Sequence, residues 1–248
     1  MDNYSTIDLA RWAAAIRARR SVRDLTAPPD KEQLTRLAFL CKVLEGDGVR
    51  IELLEAVKSP CVTAALIAGK DTRDDRLGFK GEALVLEATA MGLGSCWRGG
   101  GAEAKHAKKT VKLGEGERVA IVITIGQPKE PPADIPDEAR KRRPLEKLVV
   151  TSGGSSLADM EPWQNAALKA ARVAPSAINT QPWRFAFVKG AICMVRVGLF
   201  APTADLDLGI AMLHVELAAA AAGFSGAWSK TKDPNSKKSG EVWIFTKL

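Results

Sequence analysis

Two kinds of chemistry have little to draw on in this chain. It holds only 2 histidines and 4 cysteines in 248 residues. Cys41, Cys61, Cys96 and Cys193 lie apart, without the paired spacing of a zinc site or a disulfide framework. No metal centre is expected, and a reducing, cytoplasmic location is. Long hydrophobic runs are missing as well. The longest apolar stretch, Leu208 to Trp228, is alanine-rich and carries His214 and Glu216, so it reads as a buried helix and no membrane partner is expected. Met1 to Arg20 contains Asp2, Asp8 and several arginines without an apolar core, so no secretory signal is expected. Aromatics make up 6% with a single Tyr, a poor supply for stacking single-stranded bases, which argues against a nucleic-acid partner.

What remains is globular. Hydrophobic residues at 46% and charged residues at 26% suit one large domain or two small halves. The net charge of +7 favours an anionic partner such as a phosphorylated small molecule.

Periodicity predicts an alternation of helices and short strands. Leu9, Trp12, Ala13 and Ile16 share one stripe of a helix over Ile7 to Arg19. Asp30, after Pro28-Pro29, caps a second helix running through Lys42. Cys61 to Ala68 reads as a buried strand, Leu84 to Met91 as a helix apolar on nearly every side, and Arg118 to Ile125 as a strand ended by Gly126 and Pro128. Pro128 to Pro144 is proline-rich and charged, an extended connector, and Ser152 to Ser156 is a flexible joint. The pattern then restarts, with helices over Trp163 to Val173 and Leu206 to Ala222, strands over Trp183 to Lys189 and Ile192 to Val197, and a last strand over Glu241 to Thr246. Met91-Gly92-Leu93-Gly94 to Trp97 and Ala222-Gly223-Phe224 to Trp228 both end a helix on glycine and continue toward Trp, separated by 223 − 92 = 131 positions. A helix ending in a left-handed residue takes glycine there. The likeness points to two related halves, 1–150 and 151–248.

Four segments carry chemistry. Arg19-Arg20-Ser21-Val22-Arg23 sets three guanidiniums and a hydroxyl at a helix end, a multi-donor pocket for an anion, or alternatively a solvated basic cap. Ala174-Pro175-Ser176-Ala177-Ile178-Asn179-Thr180-Gln181-Pro182-Trp183 is a polar loop stiffened by prolines, able to meet a flat heteroaromatic ligand or to satisfy its own backbone. Trp97-Arg98-Gly99-Gly100-Gly101 permits close backbone approach without matching a dinucleotide fingerprint or a P-loop. Arg140-Lys141-Arg142-Arg143-Pro144 is a basic linker or an anion clamp. His106 falls on a polar helix face and His214 in an apolar helix, where a satisfied core group is the plainer reading. No catalytic side chain is singled out.

Together these segments resemble the FMN-dependent nitroreductase family. Arg19, Ser21 and Arg23 match its Arg-x-Ser-x-Arg/Lys motif, and Ala174 to Trp183 match its Ala-Pro-Ser-x-x-Asn-x-Gln-Pro-Trp loop. Gly92 to Trp97 match the end of its central helix, and Ile125 to Pro128 with Arg140 to Pro144 match its strand and basic tail. The resemblance implies an α+β fold with a small mixed or antiparallel sheet in each half and the two apolar helices packed together, alanines 218 to 222 allowing close approach. The family draws its flavin contacts from two subunits. Here Ser21 and Pro175 lie in different halves of one chain, and Leu40 to Arg50 has no such loop, so the chain resembles a branch in which two halves are fused as a pseudo-dimer. One site per chain and a monomer are then expected, the mirror site being lost where Pro144 replaces the serine.

The resemblance also implies roles. Arg19, Arg20, Ser21 and Arg23 hold the phosphate, ribityl chain and pyrimidine edge of FMN, with Arg140 and Arg142 adding to the phosphate. Pro175, Ser176, Ala177 and Asn179 line the isoalloxazine, and Trp97, Arg98, Gly99 and Gly100 border its reactive face. The implied activity is hydride transfer from NADH or NADPH through flavin N5 to a nitroaromatic, quinone or similar flat small-molecule acceptor. Two other readings stay open: a non-catalytic flavin-binding protein, and a basic nucleic-acid-binding protein on the same shell.

Overall fold

The computed structural model describes residues 8–58, 60–150, 157–198, 203–232 and 240–248. The chain forms two compact units, Met1–Ile135 and Pro136–Leu248. Both are α+β, and every strand pair in both sheets is antiparallel.

In the first unit, α1 (Leu9–Ala18) begins where the Asp8 side chain accepts the Ala10 and Arg11 N–H groups and buries Trp12, Ala15 and Ile16. A short strand β1 (Leu25–Ala27) leads to α2 (Lys31–Val43). Asp30 caps α2 by accepting the Gln33 N–H, while Gln33 Oε1 accepts the Asp30 N–H at 2.9 Å. Then follow β2 (Val49–Glu55), β3 (Val62–Ala68), α3 (Asp74–Ala90), β4 (Gly94–Arg98), α4 (Ala102–Thr110) and β5 (Arg118–Pro128). Strand β5 is the hub: β3 and then β2 lie to one side of it, and β4 and β1 also pair with it. The Ala-rich run of β3 and the Val-Ile-rich run of β5 are buried on both faces, which explains their continuous apolar pattern.

The second unit holds α5 (Pro162–Val173), β6 (Trp183–Val188), β7 (Ala191–Arg196), α6 (Ala204–Ala221), β8 (Gly226–Lys232) and β9 (Glu241–Lys247). Its sheet order is β6-β7-β9-β8. That order repeats β2-β3-β5-β4 of the first unit, each strand taken in the same sequence. The helix ends repeat as well. Gly92 and Gly223 both have φ of +82°, and Leu93 N–H donates to Ala88 O at 2.8 Å as Phe224 N–H does to Ala219 O at 2.9 Å. At the start of α5, Gln164 Oε1 accepts the Glu161 N–H at 2.9 Å, as Gln33 does for Asp30 at the start of α2. Two helix-terminus devices at one offset mark a repeated unit.

Several expectations need correction. Gly126 does not end its strand. It pairs with Gly94 inside β5, and a Cβ there would stand 2.7 Å from Ala27 O, so glycine serves close backbone approach. The connector is not uniformly extended, since Asp137–Ala139 forms a 3-10 turn. The central helix begins at Asp74, ten residues before the apolar run, because its charged residues Asp75, Lys80, Glu82 and Glu87 are buried against partners. Of alanines 218 to 222, Ala218 is half-buried and Ala219 buried, whereas Ala220, Ala221 and Ala222 are exposed. The joint read at Ser152 to Ser156 lies outside the described residues.

Candidate functional site

The basic corner of the first unit is built by the end of α1. Arg19 N–H closes the last turn on Ala15 O, and the chain then runs extended along β4, with Ser21 bridging Ser95 and Val22 N–H donating to Ser95 O at 2.8 Å. Glycine is required at the facing position, because a Cβ on Gly94 would stand 2.9 Å from Val22 Cβ. The backbone of this segment is therefore fixed and its side chains are sorted. Arg20, Ser21 and Arg23 are exposed, and neither Arg20 nor Arg23 makes an ion pair among the described residues. Arg19 is turned inward at 3% exposure, its Nε 3.8 Å from Glu82 Oε1. Burial lowers the Arg19 pKa and the Glu82 charge opposes that shift, so a guanidinium remains the charged form.

Glu82, on α3 and fully buried, also accepts the Trp97 indole N–H at 3.0 Å through its other oxygen. Trp97 lies over Gly81, where a Cβ would come within 2.3 Å of the indole Cη2. Beyond Trp97 the half-buried Arg98 leads into exposed Gly99 and Gly100, then Gly101 at φ +92° before α4. A Cβ at Gly99 or Gly100 would meet nothing within 4 Å, so packing inside the unit does not demand glycine at either position.

The second unit carries the polar loop. Between α5 and β6 the backbone takes left-handed φ at Ile178 (+44°), Asn179 (+60°) and Gln181 (+49°). For a β-branched residue this costs about 1–2 kcal/mol, and Ile178 is also 96% exposed. The loop is held from several sides. Ser176 Oγ accepts the Gln181 N–H at 2.9 Å, Gln181 Oε1 accepts the Arg143 N–H at 2.8 Å, and Asn179 Nδ2 donates to Lys141 O at 2.7 Å. Arg142 donates to Asn179 Oδ1 at 2.9 Å. The basic tail and the loop, far apart in sequence, are thus brought together within the second unit. Pro175 is buried, Ser176 and Ala177 are half-buried, Asn179 is exposed, and Arg140 and Arg142 are half-buried.

Beneath the loop sits Asp207, a residue sequence reasoning passed over although it lies in the first turn of α6, where acids are favoured. Both its oxygens lie 3.1 Å from the Ala177 N–H. Burial pushes its carboxyl up to about 7, with the Ala177 N–H pulling the other way. A carboxyl raised in the folded state binds more protons there than in the unfolded chain, so stability falls as pH climbs from about 4 to about 7. Asp207→Asn keeps an acceptor for Ala177 and removes the titration. Its stability advantage over the unmutated chain should widen by about 2 kcal/mol between pH 5 and pH 8. Urea denaturation at the two pH values measures this, and curves that shift in parallel would contradict the burial argument.

His214 is fully buried with Nδ1 2.9 Å from Ala170 O, a satisfied core group as expected, and His106 lies beside Thr110. Among the described residues no cluster of His, Cys, Asp and Glu could hold a metal ion, and no helix is long and apolar enough to cross a membrane. Glu82 is the other member that sequence reasoning missed. It lies two residues before the apolar run Leu84 to Met91, where charge interrupts the apolar pattern.

The chain matches the family model described as "Putative TM nitroreductase" over residues 13–219. Among solved structures it is similar to a Thermotoga maritima protein described as a "putative nitroreductase", with 22% identity, a TM-score of 0.66, and 95% of this chain and 93% of that one covered. It is also similar to a nitroreductase family protein of Clostridium difficile (16% identity, TM-score 0.45, 57% and 97% covered). A third is a nitroreductase with bound FMN from Desulfitobacterium hafniense (15% identity, TM-score 0.41, 52% and 96% covered). No curated protein matches.

Proposed function

The chain belongs to this nitroreductase family, and from that premise we propose that it is an FMN-dependent NAD(P)H oxidoreductase, monomeric, with one flavin per chain. FMN, when bound, would supply the redox chemistry, hydride transfer from NADH or NADPH through N5 to a nitroaromatic, quinone or similar flat acceptor. The observation that carries the reading is the family match, which runs through both the Arg-x-Ser corner and the polar loop.

The residues present fit such a group. Arg20 and Arg23 are exposed cations flanking the Ser21 hydroxyl on a fixed backbone, a donor set suited to a phosphate. Arg19 is assigned a supporting part, since its guanidinium is already engaged inside. Trp97, Arg98, Gly99 and Gly100 are assigned to the ring's border, the glycines leaving open space where a Cβ would stand. Pro175, Ser176, Ala177 and Asn179 are assigned to the isoalloxazine and Arg140 and Arg142 to the phosphate, Arg142 donating to Asn179 Oδ1 at 2.9 Å. Three left-handed residues in one loop are the kind of strain that accompanies a binding role. None of these side chains need act as nucleophile or base. Their work is to bind, orient and set the local charge.

The test is spectroscopic. The purified protein should be yellow, with a flavin-to-protein ratio near one, and NADPH or NADH under nitrogen should bleach it until an acceptor such as a quinone restores the colour. A colourless protein that takes up no FMN overturns the proposal. A yellow protein that neither nicotinamide bleaches keeps flavin binding and removes the oxidoreductase.

A further inference from the structure

The corner at 19–23 and the ridge at 97–100 are separated by most of the first unit's sequence, yet one side chain touches the root of each. The Glu82 carboxylate has one oxygen 3.8 Å from Arg19 Nε and accepts the Trp97 indole N–H at 3.0 Å with the other. It does so with no exposed surface. A buried carboxylate costs several kcal/mol in lost hydration and is weak evidence for stability on its own. Holding the tryptophan does not require it. In the second unit the corresponding Trp228 donates instead to a backbone carbonyl, Met212 O, at 3.2 Å. At the offset that relates Gly92 to Gly223, the position of Glu82 is occupied by Leu213, buried and apolar. The charge is therefore present in the unit that carries the Arg-x-Ser corner, and an apolar residue serves the same helix position in the other.

We infer that Glu82 is a positioning residue for the flavin, its carboxylate tying Arg19, at the root of the exposed Arg20–Arg23 segment, to Trp97, at the root of the Arg98–Gly100 ridge. The inference rests on the FMN reading given above. Arg19 is the residue at which α1 ends, so fixing its guanidinium fixes the departure of the three residues that follow. Trp97 is clamped twice, by Glu82 at its N–H and by the close fit over Gly81, which leaves the strand end beyond it one direction to take. Small displacements of either segment change how donors meet a phosphate and a ring, and preorganisation of this kind is worth affinity without a direct contact.

Glu82→Gln keeps the size and an acceptor for Trp97 and removes the charge opposite Arg19. FMN affinity is read by quenching of flavin fluorescence on titration into FMN-free protein, with the melting temperature of the FMN-free protein measured beside it. The expected result is FMN binding weakened about tenfold, the scale of one charge-assisted interaction. Because removing the charge opposite buried Arg19 could unfold the chain, Arg19→Met with Glu82→Leu is the companion variant. It installs apolar groups in the manner of Leu213, should keep the melting temperature near the unmutated value, and should also bind FMN about tenfold more weakly. Binding within about twofold of the unmutated protein in both variants would overturn the inference, as would an affinity loss seen only when the melting temperature falls with it. If the unmutated protein takes no FMN, the FMN reading falls and this one with it. Tight FMN binding by the unmutated chain and both variants sinks the inference alone.

Discussion

Replacing Glu87 with leucine is expected to lower the unfolding free energy of the first unit by about 3 kcal/mol, the scale of removing one partner from a buried ion pair. Glu87 is buried on α3 and receives the Trp12 indole N–H from α1, Arg36 Nε from α2 at 2.8 Å, and Arg11 Nη1 at 3.4 Å. A single carboxylate therefore gathers the two helices that pack on the central one. The arginines are partly exposed and can turn to water, which keeps the loss at the lower end of the range. The Trp12 indole is 1% exposed and loses a charged acceptor in a place where water is scarce. Leucine restores volume without restoring any acceptor. Glu87→Gln retains one amide oxygen and should cost less than half as much. Urea denaturation with an unchanged slope against denaturant measures both. A leucine variant within about 0.5 kcal/mol of the unmutated protein, the size of an ordinary surface change, would contradict the arrangement described for α3.

The same residue shows where sequence and structure part company. Periodicity located the apolar half of α3, since Leu84, Val85, Leu86 and Ala88 are all buried. It could not say that Glu82 and Glu87 are buried with them, because a carboxylate's burial depends on donors brought in by α1, α2 and β4 from elsewhere in the chain. The helix ends were legible for the opposite reason. A glycine C-cap and an Asp30 N-cap act within a few residues, so Gly92, Gly223 and Asp30 could be read directly and stand as expected. Edge strand β2, with charged Arg50, Glu52 and Glu55 among its apolar residues, escaped notice because its pairing with β3 supplies what its pattern lacks. At the candidate site the motifs were visible, but the inward turn of Arg19 was not. Three arginines in five residues look equivalent on paper. The buried carboxylate beside one of them accompanies the inward turn of Arg19, while Arg20 and Arg23 face solvent.

That sorting leads to the largest functional effect. Arg20→Ala with Arg23→Ala should weaken FMN binding about 100-fold, two charge-assisted hydrogen bonds to phosphate at about 1.5 kcal/mol each. Both side chains are exposed and make no ion pair among the described residues, so the melting temperature of the FMN-free protein should stay within about 1–2 °C of the unmutated value. Salt provides an internal control. Attraction between exposed cations and a phosphate is screened over about 8–10 Å at physiological ionic strength, so FMN affinity of the unmutated protein should fall as salt rises, and that dependence should flatten in the double variant. Riboflavin, which has the ring system without the phosphate, should bind the double variant and the unmutated protein with similar affinity. Equal losses for FMN and riboflavin would mean that the variant disturbed the ring contacts and that the phosphate lies elsewhere. The basic tail then becomes the alternative anchor, and Arg140→Ala decides it by the same FMN-to-riboflavin comparison.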